Sequence, residues 1–203
     1  MEDEKEKIIS FAAQKFMEGG FFKTTMDDLA AELRMSKKTI YKNFPSKEKL
    51  VTQVAKKILH DNSHLIDETV ALKCNAVEKL FRIFQTIAKI ISKINENNIK
   101  DIHYYSPESW KEIDEFRTKK MTAFLANIIA QGQKEGYFVK KKSEIIITMF
   151  LASARAIATP AFIINNRFTF LEALDEMTEI LARGIMTEKG KKIFNKLKDG
   201  ANK

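Results

Sequence analysis

"FFKTTMDDLAAELRMSKKTIYKNFPSKEKL", Phe21 to Leu50, holds two short apolar patterns separated by a tight corner. Thr25 and Asp28 have the capping-box spacing, and Met26, Leu29, Ala30 and Leu33 then share one helix face. Ser36 can cap a second helix whose inward residues are Ile40 and Phe44, and Pro45-Ser46 punctuates its end. Helix, short turn, helix is an arrangement in which the second helix projects its outer face away from a small shared core.

That outer face is basic. From Arg34 to Lys57 the chain carries Arg34, Lys37, Lys38, Lys42, Lys47, Lys49, Lys56 and Lys57 against a single acid, Glu48. This window holds +7, nearly all of the +8 of the chain. Lysines projected from a short helix meet phosphates and release counterions. A short side chain such as Thr39 lets the helix approach base edges, and Tyr41 can offer its hydroxyl to a phosphate. The free amides near Thr25 and Ser36 are further phosphate ligands.

Outward from this stretch the pattern is helical throughout. Ile8, Ala12 and Phe16, with Ile9 and Ala13, mark an amphipathic helix ending at Gly19-Gly20. Leu50, Val51, Val54, Ile58 and Leu59 mark a fourth helix, and Val77 to Ile91 a long apolar stripe. Asn95 to Lys100 reads as a turn, and Pro107 opens a short helix. Met121 to Ile128 carry the next helix, closed near Gly132 and Gly136. Leu171, Leu174, Met177, Leu181 and Ile185 mark the last long one. Glu188 to Lys203, with six lysines and two acids, is expected to fray. The fold class is therefore all-α.

Composition is that of a globular chain, 44% hydrophobic and 31% charged, and the net charge favours a polyanionic partner. Cys74 is the only cysteine, so no intrachain disulfide forms, which fits a reducing cytoplasm. The acidic MEDEKEKIIS start lacks the order of a secretory signal. Ile145 to Ile164, "IIITMFLASARAIATPAFII", approaches the length of a membrane span. Arg155 at its middle costs roughly 2.5–3.5 kcal/mol on insertion scales, and Pro160 would kink it, so a buried helix is expected and no membrane partner.

The run from Phe21 to Leu50 resembles the DNA-binding signature of the TetR family of bacterial transcriptional regulators. The features that match are the paired threonines, "DLAAEL", the S-K-x-T-I-Y-x-x-F-x-S-K-E-x-L run and a length near 200 residues. Met35 and Lys42-Asn43 depart from the usual residue types. The resemblance implies an all-helical homodimer of about nine helices per chain. It implies a three-helix DNA-binding domain over 1–50, an effector-binding and dimerisation domain over 51–187, and a basic tail over 188–203. It implies repression of a palindromic operator, relieved by a small molecule. By position it puts the DNA contacts at Thr24, Thr25, Ser36, Lys37, Lys38, Thr39, Tyr41, Lys42, Asn43 and Lys47. It also has the helices near 143–164 and 168–186 pair across the dimer, with Ala152, Ser153, Ala154, Ala156 and Ala158 suiting close approach.

An effector site is read from aromatic and apolar positions that could line a cavity between helices: Phe84, His103, Tyr104, Trp110, Phe124 and Met149, with Arg155 as an anchor for an anionic group. The scarcity of charge there favours a neutral, hydrophobic ligand. The contrasting reading is a helical enzyme or lipid carrier that uses the same interior. His60 and His64 echo a zinc-hydrolase spacing, but Asp61 is shorter than the usual Glu base and no third ligand is marked. There is no G-x-S-x-G elbow and no glycine-rich phosphate loop, so no metal, no cofactor and no enzymatic activity are expected.

Overall fold

The computed structural model describes residues 4–21, 23–92, 103, 106–157 and 159–201. Among them all regular elements are helices: α1 Glu4–Gly19, α2 Met26–Leu33, α3 Lys37–Asn43, α4 Lys47–Ala71, α5 Ala76–Ile91, α6 Pro107–Glu135, α7 Ser143–Ile157, α8 Pro160–Asn166, α9 Phe170–Ile185 and α10 Glu188–Ala201. One isolated antiparallel bridge joins Phe138 and Met186. The expected turn over Asn95–Lys100 lies outside the described residues, as do Tyr104, Tyr105 and Ala158.

The chain divides into two compact units. The first comprises the described residues of Met1–Asn62 and Ile94–Arg117, the second those of Ser63–Lys93 and Thr118–Lys203. In the first unit Ile8, Ile9, Ala12 and Phe16 of α1 meet Met26, Leu29 and Ala30 of α2, Ile40 of α3, and Leu50, Val51 and Val54 of α4. Phe21 and Phe44 close this core, with Phe16 and Phe21 edge to face at 5.9 Å. The start of α6 joins the same unit. Ser109, buried, donates its hydroxyl to the Glu48 carbonyl at 3.2 Å, and Glu112 accepts from both Lys49 and Lys56 of α4.

In the second unit α9 packs on α5 and α7, and α10 on α5. The core runs through Val77, Leu80 and Ile83 of α5, Phe124, Leu125, Ile128 and Ile129 of α6, Ile146, Ile147 and Phe150 of α7, and Ala182 and Ile185 of α9.

Three expectations need correction. The segment after 188, expected to fray, is the helix α10. Phe194 is buried against Phe81, with ring centroids 5.8 Å apart, and Ile193 and Leu197 flank it on the same face. Lys198 and Arg183 both bond Glu179, which ties α10 to α9. The lysines around that short apolar face obscured it in the sequence.

The separate helices expected after Pro107 and around Met121 are one helix, α6. No glycine or proline interrupts it before Gly132, and Gly136, in the left-handed region at φ 75°, lies just past its end. Conversely, the single helix expected over 145–164 is two. Thr159 caps α8 by accepting from the Phe162 amide, and Pro160 sits in its first turn, where its missing N–H costs nothing. No single helix among the described residues is long and apolar enough to cross a membrane.

Candidate nucleic-acid interface

The corner between α2 and α3 is held in place by local chemistry. The Thr25 hydroxyl accepts from the Asp28 amide at 3.1 Å, while the Thr25 amide donates to the Asp28 carboxylate at 3.0 Å. The Thr25 hydroxyl also donates to the Asp28 carboxylate at 2.6 Å, and this bond first, then that from the Thr25 amide, holds the Asp28 carboxyl below its usual range. At the corner Arg34 adopts φ 55°, and the amides of Arg34 and Met35 return to the carbonyls of Ala31 and Ala30. A non-glycine residue in this conformation costs about 1–2 kcal/mol. Packing of Leu29 and Ile40 on either side of the corner offsets it. Ser36 then caps α3 by accepting from the Thr39 amide at 3.0 Å.

With Ile40 fully buried, the 100° step of a helix fixes the other faces of α3. Lys38 and Lys42 fall opposite Ile40 and are exposed, and Thr39 and Tyr41 flank them. Tyr41 is exposed at 46%, and no buried environment explains it. Lys38 and Lys42 form no ion pair with a described residue. Two lysines also begin α3, where the helix dipole disfavours cations. Lys37 is relieved by Asp27 at 2.6 Å, a bond that raises the lysine pKa. Lys38 has no such relief.

The remaining expected contacts are placed differently. Asn43 and Lys37 lie nearer the inward side of α3. The Asn43 amide donates to Glu4 of α1 at 3.1 Å and to the Thr39 carbonyl at 3.0 Å, and Lys37 is committed to Asp27. Thr24 donates to the Gly20 carbonyl at 3.1 Å, and Lys47 lies over the Phe21 ring at 4.6 Å. Thr25 and Ser36 are exposed but act as caps.

The local excess of charge is smaller than the sequence window suggested. Lys37, Lys49, Lys56 and Lys57 are paired with Asp27, Glu112, Glu6 and Asp61, all outside the window. Both lysines on Glu112 hold its carboxyl below the usual range, Lys56 contributing most.

The expected effector residues are divided between the two units. Phe84 stacks on Phe150 at 6.1 Å beside the core that buries Phe124, all in the second unit. His103 and Trp110 belong to the first unit and meet edge to face at 5.0 Å. Tyr104 lies outside the described residues. Met149 and Arg155 both lie on the exposed face of α7, while Ile146, Ile147 and Phe150 take the inward positions. Arg155 donates to the Thr118 hydroxyl at 2.9 Å. A small concavity between α7 and α9 is lined by Ala154, Ile157, Phe170, Leu174 and Met177, none of them an expected effector residue. Its enclosed space admits about one water, far below the roughly 300 Å³ at which ligand pockets begin. His60 and His64 are exposed, and among the described residues no group of three His, Cys, Asp or Glu side chains could hold a metal.

One further face stands out. Along α7, Ile145, Met149, Ala152 and Ala156 are exposed in line, and on α9 Ile180 is 66% exposed. Apolar side chains set in a row on two neighbouring helices mark an interaction surface.

Comparison with known proteins places these features. Residues 8–54 match the family model of bacterial regulatory proteins of the tetR family, which spans α1 to the first turns of α4. The chain is 24% identical over 170 residues to the uncharacterized HTH-type transcriptional regulator YvaF of Bacillus subtilis (strain 168), covering 82% of this chain and 88% of that protein. Among solved structures it is similar to a transcriptional regulator from Cytophaga hutchinsonii ATCC 33406. The TM-score is 0.70 and the identity 23%, over 90% of this chain and 98% of the other. It is also similar to the transcriptional regulator FadR from Bacillus subtilis in complex with stearoyl-CoA, with a TM-score of 0.61 and 19% identity, over 88% and 98% of the two chains. Identities of this size speak to the fold.

Proposed function

The chain belongs by its DNA-binding domain to the TetR family of bacterial regulatory proteins, and from that premise we propose that it is a ligand-responsive repressor of an operator with two-fold symmetry. The observation that carries this reading is the outer face of α3. Lys38 and Lys42 stand exposed opposite the buried Ile40, between Thr39 and Tyr41, on a helix only as long as a major groove requires. Lysines and Tyr41 position the protein on phosphates, and Thr39 with Lys38 reads base edges.

Residues 1–50 act as the reading head and 51–187 as the effector and dimerisation region, with the basic helix α10 packed into the core of the latter. Two copies pair through the apolar row on α7 and the Ile180 face of α9, which gives the two-fold axis that a palindrome demands. The effector is small and hydrophobic, in keeping with the aromatic interior around Phe84, Phe124 and Phe150. FadR of the same fold, in complex with stearoyl-CoA, is in keeping with that class of ligand. The protein acts in the bacterial cytoplasm.

Selection from a random DNA library tests the proposal. The expected result is a near-palindrome whose half-sites lie about one helical turn, 34–36 Å, or a multiple apart. Recovery of no sequence enriched over the starting pool would remove the operator-binding reading.

A further inference from the structure

The second concentration of positive charge lies where α6, α7, α9 and α10 meet. The backbone there is fastened at successive steps. The Val139 amide donates to the Ile185 carbonyl at 2.8 Å, the Thr187 amide to the Tyr137 carbonyl at 2.9 Å, and the Thr187 hydroxyl to the Gly136 carbonyl at 2.9 Å. Gln133 donates its side-chain amide to the carbonyls of Val139 and Lys141, at 3.1 and 2.7 Å. Gly190 is required by this corner: a Cβ there would sit 2.4 Å from the Tyr137 carbonyl oxygen. The result is a stiff loop that presents Lys140, Lys141 and Lys142 beside the first turn of α10, which carries Lys189 and Lys192.

All three loop lysines are exposed, and none forms an ion pair with a described residue; the same holds for Lys134 and Lys192. Several lysines elsewhere are neutralised: Lys15, Lys37, Lys49, Lys56, Lys57, Lys111 and Lys198 each have a carboxylate partner. A run of cations without carboxylate partners, on a backbone already ordered, binds a polyanion without the usual cost of immobilising the loop.

We infer that this corner is a second polyanion-binding surface, which takes the phosphate backbone of a DNA duplex without reading its sequence. The naming of DNA rests on the function proposed above. Lysines act as point charges and lack the fork that reads guanine, and the run holds no arginine. An anionic membrane is disfavoured by the absence of an apolar anchor beside the cations. Phe138 is buried, the Tyr137 ring lies under Lys189 at 4.6 Å, and Ile145 belongs to the proposed dimer row. A regulator with two such surfaces holds two segments of DNA at once and can pass between them.

Titration of a labelled random duplex of about 24 base pairs, at several salt concentrations, tests this with the full chain. Wild type is compared with K38E/K42E, with K140E/K141E/K142E and with the combined variant. Both partial variants should retain salt-dependent binding, and the combined variant should lose it. Loss of Lys140, Lys141 and Lys142 should lower the salt slope by about 2–3. If K38E/K42E alone abolishes binding, the second surface is overturned while the α3 reading stands. If K140E/K141E/K142E alone abolishes it and K38E/K42E binds as wild type, the α3 reading falls and the second surface stands. The milder K140Q/K141Q/K142Q serves if charge reversal unfolds the protein. Vesicles with 30% phosphatidylserine form the last arm: tighter binding to them than to the duplex at equal salt would overturn DNA as the partner.

Discussion

Ile180→Ala measures the proposed dimer. Ile180 is 66% exposed on α9, whereas the other isoleucine of that helix, Ile185, is buried. Replacing isoleucine with alanine removes three carbons, each worth about 0.8 kcal/mol when taken out of water. If the two-thirds now exposed are covered by the partner, each copy loses roughly 1.6 kcal/mol of association energy. Two-fold symmetry counts the residue twice, so dimerisation weakens by about 3 kcal/mol, or roughly 200-fold in Kd. The fold itself should hold, because the removed atoms face away from the core. Sedimentation equilibrium across a concentration series gives the Kd, and thermal unfolding at high protein concentration controls for the fold. A dimer Kd within threefold of wild type would refute the placement of Ile180 in the interface, and a wild type that is monomeric throughout would refute the dimer.

Lys38→Glu should raise unfolding free energy by about 0.3–1 kcal/mol, since it puts an acid at the positive end of α3, yet weaken operator binding strongly; a binding-neutral variant would take Lys38 off the interface. Phe194→Ala should cost about 3–5 kcal/mol, read as a lower urea midpoint; a loss under 1 kcal/mol would mean that α10 contributes little to the core. Glu179 has its carboxyl held low, first by Lys198 and then by Arg183. Its stabilisation is present above the ordinary Glu pKa of about 4.3 and is lost as pH falls through the depressed value. Glu179→Gln should therefore be less stable than wild type at pH 7, with the deficit shrinking as the pH falls through the depressed value. A deficit that persists unchanged into acid would mean that the hydrogen-bonding role of residue 179, and not its charge, holds α10.

What could be read in the sequence follows the range of the interactions. The caps at Thr25 and Ser36 act over three residues, and the inward positions of α2 and α3 follow one helical period, so both were legible. The commitments of Lys37 and Asn43 depend on Asp27 and on Glu4, the latter 39 residues away, and no local pattern marks them. The wheel drawn from Ile40 does carry the signal, since it separates Lys38 and Lys42 from Lys37 and Asn43. The neighbours of the expected effector residues were hidden for a related reason. Aromatic residues at helical spacing show that a face is apolar, not which neighbour covers it. Met149 and Phe150 are adjacent in sequence, about 100° apart around α7, yet the first is exposed and the second buried. Helix ends depended on single residues: Thr159 with Pro160 started a new helix, and the absence of glycine or proline made α6 continuous.

The docking of α10 also has a consequence for how the protein is made. This helix emerges from the ribosome after the rest of its unit. Until Phe194 arrives, Phe81 and its neighbours on α5 lack their cover, and the nascent chain shows an apolar surface of the kind chaperones and proteases recognise. A transcript cut short near codon 187 would still encode the intact reading head, but fused to an unfinished second unit. Such a product would be cleared before it occupied an operator. Truncated copies would then not compete with the full regulator for its sites.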